Sequence, residues 1–235
     1  MAEPIQARAT QTQVVVNTFI RSVYNWMAVG LALTGFLAYY VAHNETMLRI
    51  VFGNQALFFG LIIAELGLVF YLSARIQKIE ATTATALFII YAMLNGVTLS
   101  FIFIAYTAAS IASTFFVCAA TFGVCSIYGM VTKKDLTSVG QFMFMGLIGI
   151  IIASVVNIFL RSPAMNMIIS YIGVFVFVGL TAYDTQKLKH MALTQPEGLD
   201  PAVARKGAIM GALTLYLDFI NMFLFLLRIL GASRD

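Results

Sequence analysis

Residues 213–230 read LTLYLDFINMFLFLLRIL. A bilayer-spanning helix takes about 20 mostly apolar residues, and this stretch qualifies, yet Asp218 interrupts it. The same tension recurs upstream. Residues 168–180, IISYIGVFVFVGL, run straight into residues 181–190, TAYDTQKLKH, so Asp184 stands where an apolar run has barely stopped. Read as a helix at 100° per residue, residues 207–230 gather Gly207, Gly211, Thr214, Asp218, Asn221 and Arg228 into an arc of about 100°. The remaining faces are Leu, Phe, Met and Ile. A small and polar stripe faces protein rather than lipid, and Gly207 with Gly211 forms a GxxxG step suited to close helix packing. This places the last helix at the centre of a membrane bundle.

Composition agrees. Hydrophobic residues make up 61% of the 235-residue chain and charged ones 10%, where soluble domains carry about 25% charged residues. Such a chain cannot clothe a water-facing surface, so its solvent is lipid. The net charge of +4 comes without a clustered basic arm, which gives nucleic-acid binding no support. Cys118 and Cys125 lie seven apart in one apolar run; about 10 Å of helix rise separates them, too far for a disulfide. They read as small apolar fillers, and no Cys/His cluster suggests a metal centre. The first apolar run is long enough to span and carries no cleavage signature, so it reads as retained rather than as a signal peptide.

Seven spans are expected, at about 20–42, 55–74, 82–106, 108–131, 138–160, 164–187 and 207–230. An all-α, seven-helix bundle follows, with residues 1–19 as an N-terminal tail, 20–231 as a single membrane domain and 232–235 as a short C-terminal tail. The third and fourth spans form a tight hairpin around Tyr106–Ala108. The one long connector, about Lys189–Arg205, contains QPEGLDP and reads as an aqueous loop. With the N-terminus inside, Arg8, Arg21, Arg75, Lys78, Lys133, Lys134, Lys187, Lys189, Arg205 and Lys206 fall on the inner side, against Arg49, Arg161, Arg228 and Arg234 outside. That bias favours a cytoplasmic N-terminus, and an odd number of spans then puts the C-terminus outside.

Charges within lipid are expensive, so each needs a partner or a wet cavity. Asp184 and Asp218 lie on consecutive antiparallel spans, although Asp218 sits deeper by about 5–10 Å. If they meet, they share a proton and titrate as a pair; the pair then reports pH and offers oxygen ligands to a hard cation such as Ca²⁺. The plainer alternatives are an interfacial Asp184 beside Lys187 and Lys189, and an Asp218 holding a structural hydrogen bond. Glu65, near mid-depth in the second span, and Arg228, near the outer end of the seventh, are expected to form a buried ion pair. Arg75 reads either as a topology-setting arginine or as a group reaching an inner carboxylate.

TAYDTQKL followed by GALTLYLDFINMFLFLLRILG resembles the C-terminal signature of the Bax inhibitor-1 family. YNWMAVGLALTG (residues 24–35) and YGMVTKKDLTSVGQFMFMGLIGIIIASVVN (residues 128–157) look like its bacterial members. The resemblance covers nearly all seven spans. It implies a seven-helix bundle in a bacterial inner membrane, a di-aspartyl pH sensor at Asp184 and Asp218, and a pH-sensitive Ca²⁺ leak. It offers Arg75 as the counterpart of an arginine latch, and it makes the Glu65–Arg228 pair similar to one in relatives. It also suggests two further roles, restraint of a membrane-bound AAA protease and suppression of cell death.

Calcium and protons are thus the expected small partners, with no cofactor. Two aspartates on neighbouring spans also evoke an intramembrane aspartyl protease, but LYL precedes Asp218 where that class carries GxGD. No HExxH, Walker loop or dinucleotide-binding glycine pattern appears, and the expectation is a protein without catalytic activity of its own. An interaction protein that modulates a membrane protease without transporting anything stands as the other class.

Overall fold

The computed structural model describes residues 3–196 and 198–234. Helices α1 (Glu3–Ala42), α2 (Glu45–Gly53), α3 (Gln55–Arg75), α4 (Ala81–Leu99), α5 (Ile102–Ala105), α6 (Ala108–Val131), α7 (Thr137–Leu160), α8 (Pro163–Leu193) and α9 (Pro201–Leu230) follow one another with short joints. Among the described residues seven segments are long and apolar enough to cross a membrane, and the molecule is an all-α polytopic membrane protein. The expected spans are met within a few residues at most ends. The exceptions have a common cause: α1, α8 and α9 continue as helices beyond their apolar stretches, because polar helix formers such as Gln186, Lys187 and Lys189, or Arg205 and Lys206, extend a helix into water as readily as Leu does in lipid. The segment expected as a tail before residue 20 is accordingly helical from Glu3.

Local signals explain the joints. Asn44 caps α2 by accepting from the Met47 amide, and Asn54 caps α3 by accepting from Ala56 and Leu57. The short helix α2, not anticipated from sequence, sets Val51 inward and exposes Glu45 and Arg49, whose charged groups are 3.9 Å apart. Thr107 caps α6 by accepting from the Ser110 amide, so the chain turns in a few residues near Tyr106–Ala108, as expected. Between α7 and α8 the chain reverses in two residues. Arg161 takes a left-handed conformation, with φ of 50°. The Asn157 side chain accepts from the Ser162 amide and donates to the Ser162 carbonyl and to Asn166. Pro163 opens α8, where its missing N–H costs nothing.

Two compact units make up the chain. The first comprises residues 1–105 and 190–216. In it α1 lies along α4 closely enough that Gly96 meets the Thr34 backbone, while Gly30 meets the rings of Phe88 and Tyr216. The Thr34 hydroxyl donates to the Ala92 carbonyl at 2.8 Å and shares a 2.6 Å hydrogen bond with the Tyr216 hydroxyl, so three helices are joined through one side chain. Ile209, Ala212, Leu213, Leu215 and Tyr216 of α9 are fully buried.

The second unit comprises residues 106–189 and 217–235. Its α9 segment packs Phe219 edge-on against Phe115 and Phe122, and Gly173 of α8 receives the Phe225 ring. The C-terminal residues return to the corner before α6: the Ala232 carbonyl accepts from the Thr107 amide and its own amide donates to Ser110. The segment expected as a short tail from residue 232 is thereby anchored. Of the seven spans, α9 is the most enclosed, with 67% of its apolar stretch buried against 6% for α3. The last helix is the most enclosed span, as expected, although of its polar stripe only Gly211 and Asp218 are buried and Arg228 is exposed.

Candidate functional site

The site lies within the second unit, where the far end of α8 is pressed against α6 and α7. Gly129 of α6 faces the Ala182 carbonyl so closely that a Cβ there would collide with it, and Gly140 in the first turn of α7 faces the Tyr183 ring in the same way. Close approach of helices in lipid depends on such small residues. Two long side chains complete the seam. The Gln186 amide donates to the Lys134 carbonyl and accepts from the Leu136 amide, both at 2.8 Å. Lys189 donates from Nζ to the Met130 carbonyl at 2.6 Å, a favourable place for a cation because the last carbonyls of α6 lack helical partners. These contacts fix both the height and the rotation of α8 around Asp184.

Asp218 projects from α9 into this region. Its residue is 4% exposed, and its flanks are apolar: Phe219 lies in the aromatic cluster, with Cys118 Sγ 3.6 Å from the Phe219 carbonyl. The Asp184 and Asp218 carboxyl groups lie close enough to act on each other directly, and Asp218 Oδ2 is buried without a hydrogen-bond partner. Asp184 is half-buried, and Lys187, one turn along α8, is exposed. The offset in depth expected between the two acids does not keep them apart, and α8 runs on past its apolar stretch to Leu193. Two carboxyl groups in contact cannot both be ionised cheaply; a hydrogen bond between them requires a proton.

Other expected residues fall elsewhere. Arg228 is exposed at the end of α9, its guanidinium 5.8 Å from the centre of the Phe225 ring. Glu65 is half-buried and its Oε1 lies 2.8 Å from Thr98 Oγ1. Glu65 and Arg228, expected as a buried ion pair, each have a neighbour of their own, a hydroxyl for the acid and an aromatic face for the base. A long arginine near a helix end extends along apolar surface and keeps its head in a polar layer. Arg75 is exposed in the last turn of α3. Gly211 is buried, and Gly207 meets the Phe19 ring at 3.3 Å from where a Cβ would stand, so this step of the GxxxG motif seats a side chain, not another backbone.

The close-contact glycines at 129 and 140, and the Gln186 clasp, were not read from the sequence. Their partners lie on other helices, and the one available hint was a pair of glycines flanking VTKKDLTSV.

No group of three or more His, Cys, Asp or Glu side chains capable of holding a metal occurs among the described residues. Two carboxylates alone fall short of the six to eight oxygens that Ca²⁺ takes. The pair thus fits a place where a cation passes or a proton resides better than it fits a closed metal centre.

Comparison with known proteins bears on the same residues. A family model described as inhibitor of apoptosis-promoting Bax1 matches residues 16–235. The inner membrane protein YbhL of Escherichia coli K12 is 54% identical over 95% of each chain. An uncharacterised protein of Borreliella burgdorferi is 44% identical over 96% of each. The uncharacterised membrane protein SpyM3_0260 of Streptococcus pyogenes is 38% identical over 95% of this chain and 96% of its own. With the family match covering all seven spans and the acid pair between α8 and α9, the chain belongs to the Bax inhibitor-1 family.

Proposed function

We propose that this protein is a pH-sensitive cation leak, with Ca²⁺ as the transported ion and the Asp184–Asp218 pair as its proton-controlled gate. The observation that carries this reading is the apposition of the two carboxyl groups, one on α8 and one on α9, with Asp218 buried and its Oδ2 without a hydrogen-bond partner. The sign of the response follows from charge. At low pH the shared proton joins the two side chains. As pH rises and the proton leaves, two negative charges face each other where little water screens them, and the helices bearing them repel. The same loss exposes two carboxylates to a passing divalent cation, which prefers hard oxygen ligands. A sensing role suits the pair better than peptide hydrolysis, since Asp218 is 4% exposed and flanked by apolar side chains.

The chain is read as residing in a bacterial inner membrane, as the name of its E. coli relative suggests. Its N-terminus is in the cytoplasm and its C-terminus outside, and Arg75 stands at the inner end of α3 as a candidate partner for the ionised pair. The test is Ca²⁺ flux into proteoliposomes across a range of pH, for the wild type and for Asp184→Asn and Asp218→Asn. Flux through the wild type should depend on pH, and each amide variant, unable to lose the shared proton, should give a flattened profile. An undiminished pH dependence in both variants would overturn the gate.

A further inference from the structure

Gln186 is 5% exposed, and both ends of its amide are engaged, Nε2 with the Lys134 carbonyl and Oε1 with the Leu136 amide. It follows Asp184 by two residues on α8, which at about 100° per residue turns it to nearly the opposite face. The contacts around it share that bias. Ala182 and Thr185 meet Gly129 of α6, Tyr183 meets Gly140 of α7, and Lys189 reaches the Met130 carbonyl. Each of these positions lies about 100–160° around the helix from Asp184. α8 is thus held on the sides of α6 and α7, and the side that carries Asp184 is the one left for α9.

Across the pair the fastening is of another kind. Phe219, next to Asp218, packs against the rings of Phe115 and Phe122. Its carbonyl lies 3.6 Å from the thiol of Cys118, a weak donor. Apolar contact is non-directional, whereas hydrogen bonds weaken steeply when bent, so α8 is the more tightly registered of the two. The charged side chains around the clasp are Lys133, Lys134 and Asp135 on the joint and Lys187 on α8, all exposed, with Lys189 engaged at Met130. Asp135 also caps α7 through the Thr137 amide.

We propose that Gln186 is a positioning residue for the acid pair: its clasp on the α6–α7 joint makes α8 the fixed side of the pair and keeps Asp184 turned toward Asp218. Its effect on the leak rests on the gate proposed above; its effect on position does not.

Position is read by cross-linking. Full-length protein carrying Asp184→Cys and Asp218→Cys, with Cys118→Ala and Cys125→Ala, would be placed in phosphatidylethanolamine–phosphatidylglycerol vesicles and treated with a short bis-methanethiosulfonate. Each thiol displaces a methanesulfinate, and the initial linking rate is taken from peptide mass spectrometry. With the acids replaced, their own interaction is gone and position alone is read. Adding Gln186→Leu, which keeps the bulk and loses both hydrogen bonds, should slow linking about tenfold, the population shift that losing two hydrogen bonds brings. Gln186→Glu discriminates further. As a neutral acid it can donate to the Lys134 carbonyl, but as a carboxylate it can only accept. Its linking rate should therefore match the parent's in acid and fall below it as pH rises. Asn157→Leu, which breaks the turn at the opposite end of α8, should lower the melting temperature and leave the linking rate unchanged. With both aspartates in place, Gln186→Leu should raise the leak at acidic pH toward its alkaline level.

Equal linking rates in the parent and Gln186→Leu, an equal slowing by Asn157→Leu, or a Gln186→Glu rate that tracks the parent's at every pH would each overturn the positioning role. The last comparison is made within one variant, so a failure of Gln186→Leu to fold leaves the test standing. A wild-type leak indifferent to pH would remove the gate, while the linking rates still decide about Gln186.

Discussion

Asp184 and Asp218 were legible in the sequence because lipid makes every acid conspicuous: a carboxyl within an apolar span must have a reason, and the nearest reason was the other acid. Thr34 had no such signal. A threonine in a span is unremarkable in composition, and its partner Tyr216 lies 182 residues away. Yet Thr34 is 4% exposed and joins α1 to both α4 and α9. Hydrogen bonds between membrane helices are worth about 0.6–1.7 kcal/mol each, because the unfolded helices in lipid also find partners. A double-mutant cycle of Thr34→Ala and Tyr216→Phe, read from reversible unfolding in mixed micelles, should give a coupling of about 1 kcal/mol. A coupling indistinguishable from zero would show that the 2.6 Å contact contributes nothing to stability. Arg228 teaches the complementary lesson. Its identity and depth were read correctly, but whether a flexible cation turns to an acid or to a ring is decided by neighbours that sequence spacing does not reveal.

At the level of elements, the spans themselves were readable because twenty apolar residues have few alternatives. The short helix α2 was missed because its nine residues are too few to span and too amphipathic to stand out. Helix contacts were harder still. The GxxxG step at Gly207 and Gly211 drew notice by its spacing, while the glycines that admit a neighbouring helix most closely beside the acid pair are Gly129 and Gly140. Their requirement comes from Ala182 and Tyr183 on α8, which no local pattern announces. A methyl group at Gly129 would meet a backbone oxygen, which cannot rotate away. Gly129→Ala should therefore displace α8 and destabilise the protein by about 1–3 kcal/mol, the usual cost of overpacking. Gly67→Ala on α3, where a Cβ meets nothing within 4 Å, should cost no stability. Equal melting temperatures for the two variants in the same detergent would rule out a tight α6–α8 seam. The Gln186 clasp belongs to the same scale, because a side-chain amide that bonds the backbone on both sides of Asp135 holds α8 to the α6–α7 joint as a further strand of backbone would.

For the molecule as a whole, the question is which way it faces, and charge and geometry address it independently. Lys and Arg are concentrated on the loops that an inside N-terminus would leave in the cytoplasm, ten against four by position. The number of crossings decides where the C-terminus goes, and α9 would reverse the answer if it re-entered rather than crossed. Its contacts argue for crossing. Near its start, Lys206 donates to the Gln77 carbonyl in the turn before α4. Beyond its end, Ala232 is bonded to Thr107 and Ser110 in the corner after α5. The 30-residue helix between these contacts is unbroken, and at about 1.5 Å per residue it exceeds the hydrocarbon thickness. The C-terminus should consequently lie on the face opposite the N-terminus. Reporter fusions check this directly in a bacterial host. Alkaline phosphatase joined after residue 235 should be active and green fluorescent protein joined there dark, with the opposite pattern for insertions at Gly198 in the loop before α9. A fluorescent C-terminal fusion would mean that α9 does not cross, and the charge bias would then have to be explained with six spans.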